Sequence, residues 1–437
     1  MASSAAFGII IIGAGVSGLT TALALRWLGI RADVYERNPT ITELGAGIAV
    51  GPNAAHMLGK LGLEAKLDEV SSRPQEGVNL KFREHADSTV RFVGRLNTER
   101  RSFYCHRAKL VRILADELPH DQIHLDKCLR DVTQDDHSVT AHFHDGTSVT
   151  GHVLIGADGI KSFARSLWNQ ESCAFSGQIV VRNLIKAEAL PPELHDCLVH
   201  GQVWLAPGRQ HVVTFPIERA KYLAVGAIAP AIPGHEWGES WKIRGDINFQ
   251  DQLESFDPPV RELFKYSEGQ TIYGLYERSE LPTWIHGRLV LVGDSAHAML
   301  PHQEAIEGRH VTSIFLVQKL NMKETSGQGG SQSIEDAIVL SLTLAAAAAS
   351  PPEDLPRWLQ TYQAARKPRT DHAAKVSRAT GQAFDKLMFS EEGMRFLQNA
   401  YALFNMNDLF EDLRKAVEAE FGPGERLELV ESLTRKL

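Results

Sequence analysis

Three glycine-bearing patches, far apart in the chain, carry residue types and spacings that could do chemistry. They are Gly13-Ala14-Gly15-Val16-Ser17-Gly18 with Glu36-Arg37 downstream, Gly156-Ala157-Asp158-Gly159, and Gly293-Asp294-Ser295-Ala296-His297. The first has the pattern of a phosphate loop. Gly13 permits a tight turn, Gly15 lets backbone approach a pyrophosphate, and Gly18 allows close packing of helix on strand. A helix opening there offers unpaired N–H groups and partial positive charge to an anion. Glu36, at the end of the next strand, can accept hydrogen bonds from both hydroxyls of a ribose. Asp294 follows the apolar run Leu289 to Val292. A carboxylate at the carboxyl end of such a strand either reaches a ligand hydroxyl or caps the helix that follows.

These residues need elements to position them. Gly8 to Ile12 is a short β-branched run ending in glycine, Gly18 to Leu28 has helical spacing, and Ala32 to Glu36 is a second strand. That is a βαβ unit, which predicts a parallel sheet. Asn53 to Leu61 and Ala108 to Leu118 read as helices. Val139 to His144 and Ser148 to Val153 read as a hairpin around Asp145-Gly146. Val153 to Ile155 and Leu289 to Val292 are buried strands leading into the second and third patches. Between them, Gln178 to Ile185, Gln202 to Leu205, Gln210 to Pro216 and Tyr222 to Ile228 have the look of an antiparallel sheet. The residues from Ile334 to Leu437 read as mostly helical, and no internal repeat is visible.

The 437 residues suffice for two domains with real cores. A formal net charge of −8 leaves no basic footprint for nucleic acid. Cys105, Cys128, Cys173 and Cys197 show neither CxxC nor metal spacing, so free thiols in a reducing, cytoplasmic setting are expected and no metal is. The N-terminal seven residues carry no basic residue, a poor match to a signal peptide. Phe7 to Leu28 is strand, loop and helix rather than a membrane span, and Leu340 to Ala349 is too short to be one. Arg435-Lys436-Leu437 only loosely matches a peroxisomal tail.

Taken together, the patches resemble those of the class A FAD monooxygenases, the p-hydroxybenzoate and salicylate hydroxylase-like group. The resemblance runs over nearly the whole chain. It rests on Gly13 to Gly18, Gly45-Ala46-Gly47-Ile48 with Pro52-Asn53, His106-Arg107, Gly156 to Ser162, Gly293-Asp294, Pro301-His302-Gln303 and Gly327 to Ala337. It implies an α/β fold in which a discontinuous Rossmann-like FAD-binding domain (1–175 and 276–385) flanks a mostly antiparallel substrate domain (176–275), with C-terminal helices (386–437). It implies roles as well. Glu36 would hold the adenosine ribose, and Arg107 the pyrophosphate or ribityl region. Gly47 and Ala49 would line the flavin side, Asp158 would serve FAD and the nicotinamide cofactor, and Asp294 would bind the ribityl chain. Gly329 and Gly330 would bring backbone N–H groups to the flavin ring. Arg182 matches an arginine that related enzymes aim at a phenolate or carboxylate, a task suited to a forked permanent cation. Against that stands a solvated strand arginine. His302 is a candidate acid/base or a structural histidine. Relatives often have Tyr where Phe215 stands, so a phenol hydrogen bond to substrate is in doubt. The implied reaction is hydroxylation of a small aromatic or phenolic substrate with O2 and NADH or NADPH. A flavin oxidase, dehydrogenase or epoxidase, and a flavin-binding remnant, are the alternatives.

Residues 304–326 depart from the family pattern, which runs directly from Pro-His-Gln into Gly-Gln-Gly. They are either a genuine lid or surface excursion, or an error of the gene model such as an in-frame retained intron. The break falls inside a loop that must press on the flavin, which favours the second. Deleting 304–326 is then expected to preserve or raise FAD occupancy and the ratio of product to NAD(P)H consumed. A true lid predicts the reverse, with more wasteful peroxide release.

Overall fold

The computed structural model describes residues 7–41, 47–95, 102–232, 242–243, 249–266, 271–298, 328–386, 390 and 409–437. His302 and the 304–326 segment lie outside them.

Ile9–Ile12 is buried along its whole length, as expected for a central parallel strand covered on both faces. It pairs in parallel with Ala32–Tyr35 on one side and Val153–Gly156 on the other, so Ile11 lies between Val34 and Ile155. The six-stranded sheet runs Ile285–His286, Leu289–Leu291, Val153–Gly156, Ile9–Ile12, Ala32–Tyr35, Ile123–His124, and only its first strand is antiparallel. Helix Val16–Trp27 crosses between the first two strands of the chain. It stops at Gly29, whose φ of 82° lets the chain turn back, and the N–H groups of Gly29 and Ile30 donate to Arg26 and Leu25. Helix Gln328–Ala348 is buried on every described face from Ser331 to Ala347, which makes it the central helix of the larger core. The C-terminal helices Leu409–Phe421 and Glu425–Lys436 put Leu413, Val417 and Val430 into that same core rather than forming a layer of their own.

The second large sheet has eight strands, in the order Lys242–Ile243, Thr271–Glu277, Ala174–Lys186, Tyr222–Pro230, Gln210–Ile217, Gly201–Ala206, Val78–Glu84, Val90–Arg95. All its pairs are antiparallel except Gly201–Ala206 with Val78–Glu84. Period-two alternation gives Ala174–Lys186 two different faces. Ile179, Val181 and Ile185 enter a core with Trp204, Val212 and Leu223. Val180, Arg182 and Leu184 lie on the other face. The strands Val78–Glu84 and Val90–Arg95 sit within the range read as the first part of the FAD-binding domain, yet they extend this sheet. Strand alternation cannot reveal a partner about 120 residues away in sequence. A small sheet, Gly47–Val50, Phe103–His106, Ser71–Ser72, lies between the two large ones. Tyr104 and Ala49 from it pack with Leu184, Phe215, Ile217 and Ala224 of the eight-stranded sheet. Among the described residues no helix is long and apolar enough to cross a membrane.

Candidate functional site

The phosphate-loop residues are brought together as the spacing predicts. Gly13 turns at φ 108°, and its N–H donates to the carbonyl of Tyr35 at 2.9 Å. A Cβ on Gly13 would lie 2.5 Å from the Ala157 carbonyl oxygen, and one on Gly18 would overlap the carbonyl oxygen of Gly13. Gly15 is the N-cap of helix Val16–Trp27. No side chain caps that end and no acid sits in its first turn, so the free N–H groups face where a phosphate would lie. Glu36 has partners within the chain. Its Oε2 accepts from Ala14 N at 2.9 Å and its Oε1 from Asn38 N at 3.0 Å and Asn38 Nδ2 at 2.6 Å. The carboxylate is thereby fixed beside the loop with lone pairs to spare.

At the third glycine patch, Gly293 has φ 65° and caps the short helix Asp294–His297. Its side-chain position is hemmed by Ser333 Oγ at 2.8 Å and Ser17 Oγ at 2.9 Å, which places this turn against the phosphate-loop helix. A Cβ on Gly329 would lie 3.8 Å from Asp294 Oδ1, and one on Gly330 would lie 2.9 Å from Ile48 Cδ1. Gly51 N donates to Ser331 Oγ at 3.0 Å. Segments 47–51, 293–294 and 329–331 therefore converge. Asp294 is half-buried and makes no hydrogen bond or ion pair among the described residues, so its carboxylate can serve a ligand hydroxyl. An uncapped helix start, a glycine cradle and an uncommitted carboxylate together fit FAD.

Asp158 is differently placed. Its Oδ2 accepts from Ala164 N at 3.0 Å, in the first turn of helix Phe163–Ser166, whose N-cap is Ser162, while its buried Oδ1 has no partner among the described residues. Burial raises its pKa above the ordinary carboxylate range, against hydrogen bonds from Ser162 and the backbone.

Gly47 ties the small sheet to the eight-stranded one. A Cβ there would overlap the Phe215 ring and lie 2.8 Å from Ala224 Cβ. Ala49 pairs with Tyr104, whose ring stacks on Phe215 at 5.1 Å and whose hydroxyl donates to Asn79 O at 2.7 Å. Leu184, Ala224 and Phe215 form one row across the sheet, and Arg182, Gly226 and Val213 form the next. Arg182 therefore stands one row from the contact with Gly47, on the same face. Its guanidinium lies over the Tyr273 ring at 5.9 Å. Burial, then the charge of Arg107, lower its pKa, against the pull of Tyr273. Arg107 opens helix Arg107–Asp116 directly after strand Phe103–His106. Two guanidinium groups thus share a field on the face between the sheets, and Arg182 has no carboxylate partner among the described residues.

Sequence reasoning missed the polar residues behind the third patch. Glu335 and Asp336 lie buried in helix Gln328–Ala348 and pair with Arg366, which is also fully buried. The coulombic pull of His297, then Arg366, holds Asp336 down at about 2 despite burial. The available signal was an adjacent pair of acids in an otherwise uncharged helix.

Comparison with known proteins shows the family of the chain. Residues 7–304 match the family described as FAD binding domain. A 3-amino-4-hydroxybenzoate 2-monooxygenase of Streptomyces platensis is 31% identical over 383 residues, covering 86% of this chain and 88% of the relative. A salicylate hydroxylase of Pseudomonas putida is 30% identical over 405 residues, covering 86% and 85%. Among solved structures, a salicylate hydroxylase substrate complex is alike in fold with a TM-score of 0.77 at 24% identity, covering 97% of this chain and all of that one. The chain belongs to the FAD-binding family matched here and is an FAD-dependent monooxygenase of the salicylate hydroxylase type.

Proposed function

We propose that this monooxygenase hydroxylates a small, electron-rich aromatic ring that carries an anionic oxygen, a carboxylate or phenolate, at the cost of NAD(P)H and O2. The observation that carries this reading is Arg182, a half-buried cation without a carboxylate partner among the described residues, on the sheet face beside the flavin segments. A cation in that position is stabilised by an anionic ligand and disfavours a second cation. Relatives named for aminohydroxybenzoate and salicylate act on rings of this kind.

FAD, when bound, supplies oxygen activation, and the chain supplies placement. Glu36 and the loop N–H groups would hold the adenosine and pyrophosphate, with Arg107 beside them. Asp294 would hold the ribityl chain. Gly47, Ala49, Gly329 and Gly330 would let backbone approach the ring system, and Asp158 would brace the second glycine turn through its bond from Ala164 N. Arg182 would orient the substrate and favour its ionised form. Phe215 and Tyr104 would wall the ring in without offering it a hydroxyl, since Phe215 has none and Tyr104 donates its own to Asn79. His302 keeps the acid/base role as a proposal. Four thiols without a disulfide support the cytoplasm as the place of work.

The deciding experiment follows NAD(P)H consumption by the flavin-loaded protein against a panel of aromatic acids, phenols and their neutral esters and ethers. Oxygenated product should form from anionic members and scarcely from neutral ones. Peroxide as the sole product across the panel would favour the oxidase reading instead.

The cofactor residues have their own test. Glu36→Ala and Asp294→Ala should purify folded but with markedly less flavin. A hydrogen bond to a charged group contributes roughly 1.5 to 3 kcal/mol, which predicts FAD binding weakened by about ten- to hundredfold. Full flavin occupancy in both variants would overturn the assignment.

A further inference from the structure

Asp336 accepts three hydrogen bonds in a site closed to solvent. Gly293 N donates to its Oδ2 at 3.0 Å, His297 Nε2 meets the same oxygen at 2.5 Å, and Arg366 Nε donates to Oδ1 at 2.8 Å. The first two partners stand at either end of the helix Asp294–His297, so one carboxylate clamps both ends of the segment that carries Asp294. Arg366 also donates to Glu335 Oε2 at 2.9 Å and to Gln332 Oε1 at 2.6 Å. Glu335 in turn accepts from Asn53 Nδ2 at 3.2 Å and Arg369 Nε at 3.0 Å. Asn53 lies two residues beyond Gly51, whose N–H is held by Ser331. The first turns of helix Gln328–Ala348 thus bind the 47–53 segment, the 293–297 segment and helix Leu355–Lys386.

Stability alone does not call for such a cluster. Desolvating several charges is expensive, and well-packed apolar side chains commonly serve a core as well or better. What apolar side chains cannot do is hold the N–H of a glycine at φ 65° and a ring four residues later on one atom.

We propose that Asp336 is a positioning residue for the flavin: it holds the Gly293–His297 turn in the shape that presents Asp294, and Arg366 is the counter-ion that keeps it ionised there. FAD affinity is then set in part from helix Leu355–Lys386, a segment remote in sequence from every glycine patch. The inference rests on Asp294 as a flavin ligand.

The test measures FAD binding to the apoprotein of Asp336→Asn by quenching of flavin fluorescence, beside the thermal midpoint with and without FAD and the visible circular dichroism of bound flavin. Asparagine can still accept from Gly293 but loses the charge that binds His297 and Arg366. The Kd for FAD should rise about ten- to hundredfold, the range for a charge-assisted hydrogen bond. The midpoint shift caused by FAD should shrink and the flavin dichroism should change. A purely structural role predicts a lower apoprotein midpoint with unchanged Kd and dichroism, and that result would overturn the proposal. If Asp336→Asn gives no folded protein, His297→Gln decides by the same readouts. Asp294→Ala separates the two ideas. Wild-type affinity in that variant sinks the ribityl assignment, whereas weakened affinity there with normal affinity in the network variants sinks this inference alone.

Discussion

Gly18→Ala is expected to give protein that purifies nearly free of flavin. The added methyl would overlap the Gly13 carbonyl oxygen and lie 3.2 Å from Ala157 Cβ. Neither neighbour can yield cheaply. Gly13 is itself at φ 108°, with the Ala157 carbonyl and Asp158 Cα pressed against it. Ala157 N donates to Ile12 O at 2.8 Å, which anchors the second glycine patch to the first strand. Forcing a methyl into a rigid site costs about 1 to 3 kcal/mol, and more where only backbone can move. The strain falls on the loop proposed above to offer N–H groups to a pyrophosphate, so binding should suffer more than folding. Flavin absorbance relative to protein absorbance, with the thermal midpoint of the apoprotein as control, reads the effect, and a fall in affinity of a hundredfold or more is expected. A variant with full flavin and an unchanged midpoint would mean that the loop has slack the structure does not show.

That same loop marks how far the sequence could be read. Local patterns survived because they are local. The run Ile9 to Ile12, the spaced glycines and the strand ending at Glu36 each carry their own signal, and the Asp145-Gly146 hairpin is closed by Gly146 at φ 84°. Long-range choices left little trace. Nothing in Val78–Glu84 announces that it will pair in parallel with Gly201–Ala206. Nor does Glu36 announce that its carboxylate will brace Ala14. Asp158 shows the same limit, since its motif does not announce that it will accept from Ala164 N, in the first turn of the next helix. The Asp336 network was hardest to foresee. Its members come from four segments, and an arginine at position 366 has no pattern of its own until folding buries it.

Arg182→Ala should leave flavin content unchanged and remove most substrate-dependent NAD(P)H oxidation. The expectation follows from where the strand puts the side chain. Alternation sends Ile179, Val181 and Ile185 into the core of the eight-stranded sheet and leaves Arg182 on the opposite face, beside Gly226. Gly226 adds no side chain there, and a Cβ on it would meet only Val213 Cγ1, at 3.2 Å. The guanidinium itself lies over the Tyr273 ring, at 5.9 Å. With Arg107 adding to the positive field and no carboxylate paired to Arg182 among the described residues, an anion is the ligand this face can best receive. Losing a charge-assisted hydrogen bond that orients a reacting ring costs roughly 2 to 4 kcal/mol, a fall of about tenfold to a thousandfold in kcat/KM. Arg182→Lys keeps the charge but not the fork, and should recover part of the loss for a phenolate and less for a carboxylate that both arms would hold. Measured on an anionic aromatic substrate, unchanged kinetics in Arg182→Ala would return the residue to a solvated strand cation. A loss of flavin in the same variant would instead place Arg182 among the residues that hold FAD, and the anionic substrate would then need another cation to meet it.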